Sequence, residues 1–226
     1  MKIPSIKHNK QKIIFAISIL CLVMQATAQP DSTANLPQYL YPEFTKCFVK
    51  MKSGESHTAL MNYNTVTGKM IFYQSNVLME LNKPETVDTI LLNQAKFVFL
   101  ENEFYEVLVN APITLFIQHK SDLSSSEKPS AYGAVSQTTA STSVSKIYDD
   151  KAYNLKLPEN FKVIPSPVYW VRMNNVMFKF ASERQFLNIF PSKVAELKNF
   201  INQNDINMKK QDDLIKLVTY CNELYR

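Results

Sequence analysis

Histidine side chains are the first candidates for metal binding or catalysis in this chain. His57 and His119 are the histidines beyond the first thirty residues, and neither lies near a second histidine, a cysteine or a carboxylate at a spacing typical of zinc sites. His57 follows a turn and His119 ends an apolar run, so both are predicted to be polar residues at strand ends. The sequence therefore predicts no metal ligand and no cofactor-binding residue.

Acidic side chains are the second candidates, because a pair of carboxylates hydrolyses glycosidic bonds. Glu101, Glu103 and Glu106 are close in sequence, but Glu103 and Glu106 would point to opposite faces of a strand. The chain has no G-x-S-x-G motif and only three glycines, too few and too far apart for a phosphate-binding loop. We therefore predict solvated charges here and no catalytic residue.

Aromatic side chains offer a weaker indication of a binding site. Tyr105, Tyr132, Tyr169 and Trp170 have the ring types that stack on sugars or peptides. Tyr169 and Trp170 are adjacent, however, and must face opposite sides of a strand. Core packing is the preferred interpretation, and stacking on a sugar or peptide is the alternative.

The first 28 residues have the pattern of a secretory signal peptide. Four lysines precede an apolar run of twelve residues from Ile13 to Met24, and Ala26-Thr27-Ala28 is a small-x-small cleavage pattern. We predict cleavage between Ala28 and Gln29. As a helix the run would rise only about 18 Å, against a hydrocarbon core of roughly 30 Å, so no transmembrane segment is expected after cleavage.

Cleavage changes the charge balance and the cysteine count. The remaining chain would hold 21 basic and 20 acidic residues, without a basic stripe, so nucleic acid is not expected as a partner. It would also keep two cysteines, Cys47 and Cys221, in an oxidising compartment. These two could form a disulfide, or both could be small buried hydrophobic residues; the sequence leaves both interpretations open.

Short β-branched and aromatic runs separated by turn residues predict an antiparallel sheet. The predicted strands are Phe44–Met51, Thr58–Tyr63, Met70–Tyr73, Val77–Leu81, Val87–Leu92, Phe97–Leu100, Phe104–Val109, Ile113–His119, Tyr153–Leu157, Val168–Val171 and Val176–Phe180. Helical periodicity begins with a capping box at Ser182. The expected fold is α+β, mainly an antiparallel sheet or partly closed barrel covered by C-terminal helices.

Two polar segments interrupt this pattern. Residues 29–43 are proline-punctuated without periodicity and are expected to be a flexible lead-in. Residues 121–145 are rich in serine and threonine and are expected to be a mobile loop. A single β-rich domain is therefore predicted over residues 44–226, with a helical tail from residue 182 to residue 226.

These features together resemble a group of uncharacterised exported proteins of Bacteroidota-type Gram-negative bacteria. The resemblance rests on the export signal ending at Gln29, the Ser53-Gly54 and Thr67-Gly68 hairpins, the run Phe104-Tyr105-Glu106-Val107 and the tail at Phe190-Pro191. It implies a cell-envelope setting, periplasmic or associated with the outer membrane, and carries over no activity.

Two functional hypotheses follow. The first is a non-enzymatic binding or interaction module of the cell envelope, with an envelope protein or glycan as partner. The alternative is a hydrolase of envelope polymers whose site is assembled from residues far apart in the sequence. A structure should distinguish them, because catalysis needs a pocket that gathers His57, His119 or a close pair of carboxylates.

Overall fold

Most of the described part of the chain consists of antiparallel strands followed by three helices. The computed structural model describes residues 36–75, 77–125 and 161–226. The strands are β1 Thr45–Met51, β2 Ser56–Asn64, β3 Lys69–Gln74, β4 Val77–Glu80, β5 Val87–Leu92, β6 Ala95–Leu100, β7 Glu103–Val109, β8 Thr114–Gln118, β9 Ser121–Ser125, β10 Phe161–Pro165, β11 Val168–Met173 and β12 Val176–Phe180. The helices are α1 Glu183–Ile189, α2 Val194–Gln203 and α3 Gln211–Leu224.

Ten of the strands form one antiparallel sheet. Its order is β12-β11-β8-β7-β6-β5-β1-β2-β3-β4, so β12 and β4 are its two edges and the sheet is open rather than closed. Strand β5 pairs with β1 after the chain has formed the β2-β3-β4 meander on the other side of β1. The predicted α+β fold, an antiparallel sheet with C-terminal helices packed against it, is confirmed.

Hairpin geometry follows from residues that accept a positive φ. Asn174 and Asn175, between β11 and β12, have φ values of 52° and 62°. Asparagine tolerates this left-handed conformation, whose twist matches that of the flanking strands. The eight strands predicted between Phe44 and His119 are all present, as are the two flanking this asparagine turn.

Alternation along the strands creates an inner face that carries most of the core. On β1, Cys47 and Val49 are buried while Lys46 and Lys50 are exposed. Under strands β1 to β3 and β5 to β7 the inner side chains form one apolar cluster, which we call the central core cluster. Under β8, β11 and β12 they continue into a second apolar cluster completed by the three helices.

The C-terminal helices follow the sequence signals closely. The Ser182 hydroxyl accepts the Gln185 backbone N–H at 3.3 Å, as expected for a capping residue. The Gln185 side chain accepts the backbone N–H of Ala181 rather than that of Ser182. Pro191 begins a short 3₁₀ turn before α2. The buried residues of α3 are Leu214, Leu217, Val218, Cys221 and Asn222.

Residues 36–43 differ from the flexible lead-in that the sequence predicts. Tyr39 and Phe44 are buried against the outer side of β3 and β4, together with Ile71 and Leu78. Asn62 binds this segment: its amide donates to the carbonyls of Tyr41 and Glu43, and its side-chain oxygen accepts the Tyr41 N–H. Residues 29–35 lie outside the described residues.

The loop predicted over residues 121–145 begins with a strand. Ser121–Ser125 pairs with Phe161–Pro165 in a separate two-stranded sheet. Backbone hydrogen bonds to the partner strand hold Ser121–Ser125 in place, although its side chains show no apolar alternation. The serine-rich sequence therefore did not predict this strand. The remaining residues of that loop, the predicted strand Tyr153–Leu157 and the predicted signal peptide lie outside the described residues.

Candidate functional site

An apolar cavity of about 490 Å³ opens on the inner face of β1, β2 and β3. Most of its lining is aliphatic, thioether or aromatic: Val49, Met51, Ala59, Leu60, Met61, Phe72, Tyr73 and Leu81. Ligand sites in proteins usually have volumes of roughly 300 to 1,000 Å³ and mainly hydrophobic walls. The cavity therefore has the size and the chemistry of a site for an apolar small molecule.

Strand register places this lining. Val49 is opposite His57 on β2, and Met61 is opposite Phe72 on β3, so all four side chains share the inner face. Val49 and Met61 are buried and belong to the central core cluster, whereas Phe72 is half-buried. The cavity is thus a depression that runs from the core toward the β1–β2 turn.

Polar lining groups are few and lie toward the cavity mouth. They are His57, Thr58 and Gln74. The His57 side chain is 61% exposed, and its Nε2 lies 3.7 Å from Glu55 Oε2. The lining contains no carboxylate, thiol, lysine or arginine. Such a wall can orient a polar end of a ligand, but it offers no nucleophile paired with a base.

His119 and Glu106 form the closest titratable pair in the described chain. His119 Nε2 lies 2.6 Å from Glu106 Oε2, and their side chains are 17% and 16% exposed. An ionised carboxylate can only accept, so the imidazole donates this hydrogen bond. The ring of His119 also lies near the rings of Tyr63 and Phe97. The two histidines are therefore at different sites, and the apolar cavity contains only His57.

The charge of Glu106 affects two tyrosines. Burial, followed by the negative charge of Glu106, raises the pKa of Tyr41 to about 12 and also raises the pKa of Tyr169. Both phenols therefore stay protonated near neutral pH. They are poor candidates for a base or a nucleophile at that pH.

A smaller polar cavity of about 110 Å³ lies between the β2–β3 and β6–β7 turns. Glu103 lines it and forms an ion pair with Lys120, with 3.5 Å between Oε1 and Nζ. The buried hydroxyl of Tyr63 is close by, next to Gly68, and has no hydrogen-bond partner among the described residues. A polar cavity of this size suits ordered water, which would satisfy that hydroxyl.

Glu103 and Glu106 do not form a carboxylate pair. Glu103 contacts Lys120 and Glu106 contacts His119, as expected for residues on opposite faces of a strand. Glu101 belongs to the β6–β7 turn, where it has a φ of 48°. The interpretation of these acids as solvated charges thus applies to Glu101 and Glu103. Glu106 is different, because it is largely buried and holds a histidine.

The aromatic residues pack within the sheet. Tyr169 contacts Phe180, while Trp170 contacts Tyr105 edge to face with 5.9 Å between ring centroids. Tyr105 and Tyr169 are buried, so they do not provide an exposed stacking platform. The expected opposite orientation of Tyr169 and Trp170 agrees with these contacts. Tyr132 lies outside the described residues, as do Ala28 and Gln29.

Cys47 and Cys221 are free thiols in the structure. Cys47 belongs to the central core cluster under β1, whereas Cys221 belongs to the cluster formed with the helices. Burial raises the pKa of both thiols, that of Cys221 to about 12. Their environment is that of small buried hydrophobic residues.

Two polar residues that the sequence analysis did not single out have structural roles, and Glu106 has a role that it did not predict. Asn62 holds the segment before β1, Asn222 joins α3 to the sheet, and Glu106 binds His119. Each is a polar residue at a position where its neighbours in sequence predict burial. That mismatch is the signal that would have identified them, because a buried polar group requires a partner.

Comparisons with known proteins identify no relative for this chain: no family model, no curated protein and no solved structure matches it. Within residues 36–75, 77–125 and 161–226, no helix has the length and apolar character needed to cross a membrane. The same residues contain no group of three or more histidine, cysteine, aspartate or glutamate side chains placed to hold a metal ion.

Proposed function

We propose that this protein is a non-enzymatic binding module of the cell envelope that takes an apolar small molecule into the cavity on β1, β2 and β3. One observation carries the proposal: the cavity of about 490 Å³ has a mainly apolar wall and only a few polar groups near its mouth. Apolar surface left open to water is unfavourable by roughly 25 cal/mol per Å². A ligand that covers this wall gains that free energy.

The chemistry of the wall defines the ligand class. Met51 and Met61 provide flexible thioether side chains, which adapt to irregular apolar shapes. His57 and Gln74 at the mouth can bind one polar end of the ligand. We therefore expect a molecule with a long apolar body and a single polar end, such as a fatty acid or a similar amphiphile.

Fluorescence titration tests this proposal. The probe is N-phenylnaphthylamine, a neutral apolar dye whose emission rises when it leaves water, and a fatty acid is then added to displace it. Ala59→Trp fills the cavity, and Met51→Glu places a charge in its half-buried wall. Each should weaken dye binding at least tenfold. Val176→Trp, at an exposed position on β12, is the matched control and should bind as the original chain does.

The result that would contradict the proposal is equally definite. Equal dye affinity in the original chain, the two cavity variants and the control would mean that the dye binds elsewhere. Circular dichroism melting of each variant identifies a variant that has lost its fold. Met51→Glu is the safer of the two, because Met51 is half-buried at the end of a strand.

The envelope location is part of the same proposal and has its own test. Its support is the signal-peptide pattern and the cleavage site between Ala28 and Gln29. Fractionation of expressing cells should recover the protein in the periplasmic or outer-membrane fraction. Mass spectrometry should identify Gln29 as its first residue. Recovery of the uncleaved chain in the cytoplasmic fraction would contradict the proposal.

A hydrolase acting on envelope polymers is the second candidate function. The hydrogen bond between His119 and Glu106 favours it, because a carboxylate that orients an imidazole is one part of a general-base arrangement. The test is hydrolysis of a chromogenic ester by the original chain, His119→Ala and His57→Ala. Activity lost only in His119→Ala would support the hydrolase, and no activity above the rate in buffer would reject it for this substrate class.

A further inference from the structure

The outer face of β5, β1 and β2 exposes a strip of large apolar side chains. Leu91, Phe48 and Leu60 are 44%, 43% and 37% exposed. Phe48 is directly opposite Leu91, and Leu60 is two positions along β2 from the residue opposite Phe48. The three side chains are therefore lateral or diagonal neighbours, and together they form what we call the Phe48 strip.

The strip is unusual for a sheet whose other face is already buried. On the inner face of the same strands, Cys47, Val49 and Ile90 fill the core. An antiparallel sheet with one buried face normally carries polar residues on the other. Contiguous exposed apolar residues often mark an interaction site. The Phe48 strip therefore needs an explanation other than the core.

Positive charge surrounds the strip. Lys46 and Lys50 lie two residues to either side of Phe48 on the same face of β1, and Lys96 is opposite Leu91 on β6. Asp88, paired with Lys50 at 3.6 Å, is the only acidic residue on strands β5, β1, β2 and β6. On these four strands, the face therefore carries three ammonium groups against one carboxylate.

This charge pattern argues against a second copy of the chain as the occupant. A two-fold contact would bring the lysine-bearing faces of both copies together. An anionic surface is favoured instead, and among anionic surfaces a bilayer fits best. Protruding apolar tips enter a headgroup layer without the fitted pockets that a protein interface needs. Lysine stems can lie along apolar groups while their ammonium groups reach lipid phosphates.

We propose that the Phe48 strip docks this protein onto the surface of an anionic phospholipid bilayer. Phe48, Leu60 and Leu91 enter the headgroup layer, and Lys46, Lys50 and Lys96 contact lipid phosphates. The docking itself does not depend on the proposed ligand.

Vesicle flotation tests the docking. The full chain is mixed with vesicles of phosphatidylglycerol and phosphatidylcholine, or of phosphatidylcholine alone, at low and high salt. Residues 13–24 are themselves apolar, so each comparison is made between variants of the same chain. Binding should require phosphatidylglycerol and weaken with salt, because each lysine near an anionic surface contributes about a fivefold change in affinity.

Two variants separate the apolar and the charged parts of the strip. Phe48→Ser with Leu91→Ser should reduce vesicle binding at least tenfold, and Lys46→Gln with Lys96→Gln should do the same and flatten the salt dependence. The control combines Val176→Ser with Lys209→Gln and Lys210→Gln, all exposed and far from the strip in sequence. It should bind as the original chain does.

Three results would overturn the inference. The first is equal flotation of all the variants, or of the original chain with and without phosphatidylglycerol. The second is a concentration-dependent dimer, seen in analytical ultracentrifugation, that is lost in the variant carrying Phe48→Ser and Leu91→Ser. That result would identify a second copy of the chain as the occupant. The third is binding to polyglutamate without binding to vesicles, which would identify an acidic protein. The dye titration described above is independent of all three.

Discussion

His119 and Glu106 are joined by a hydrogen bond of 2.6 Å between Nε2 and Oε2, with less than a fifth of each side chain exposed. Glu106 belongs to β7, and His119 directly follows the neighbouring strand β8. The carboxylate is thus largely removed from water and depends on the imidazole as a donor.

Replacing His119 by alanine should therefore destabilise the fold. We expect the free energy of unfolding to fall by about 2 kcal/mol, because a largely buried carboxylate loses its donor. His57→Ala is the matched control and should change stability by less than about 0.5 kcal/mol, since its side chain is mostly exposed. Urea unfolding followed by tryptophan fluorescence measures both. Equal stability of the two variants would mean that the pair contributes nothing measurable.

Asn222 should be essential for docking α3 on the sheet. Its side-chain oxygen accepts the Ile113 N–H at 2.9 Å, and its amide donates to the carbonyls of Ile113 and Val218. Asn222→Asp keeps the size but replaces a donor by a carboxylate facing two carbonyl oxygens. We expect a loss of about 3 kcal/mol. Asn204→Asp, at an exposed helix end, is the control, and a similar loss in both variants would refute this role.

Gly68 and Gly54 should respond differently to alanine. Both have a positive φ, 71° and 95°, so each substitution costs about 1 kcal/mol of backbone strain. A Cβ at Gly68 would also lie 3.3 Å from Glu103 Oε2, whereas a Cβ at Gly54 would meet open space. Thermal unfolding should show a larger loss for Gly68→Ala. An equal loss would mean that Glu103 moves aside without cost.

Cys47 and Cys221 should react with a thiol reagent only slowly while the protein is folded. The thiolate is the reactive form, and burial raises both pKa values, that of Cys221 from 9.0 to about 12. Alkylation at pH 8 should be slow in buffer and complete in denaturant, with both thiols modified. Mass spectrometry counts the modified thiols. Protection that persists in denaturant and ends after reduction would instead identify a disulfide between them.

Local structure could be predicted from the sequence because its signals are local. Alternating apolar residues defined the strands from Phe44 to His119, and Asn174-Asn175 defined a turn that needs a left-handed backbone. The Ser182 cap and the apolar stripe from Leu214 to Tyr225 defined the helical tail, and the structure buries this stripe as far as Cys221. Each signal lies within a few residues of the structure that it specifies, so no long-range contact is needed to interpret it.

The order of the strands and the candidate sites were decided by tertiary structure. Nothing in the alternation of β5 specifies that it pairs with β1, yet that pairing brings Leu91 beside Phe48. The apolar cavity combines three strands with Leu81, and Asn62 orders a segment about twenty residues earlier. Hydrophobic periodicity specifies which face of a strand is buried. It does not specify which distant segment covers that face, because burial is favourable against any apolar surface of suitable shape.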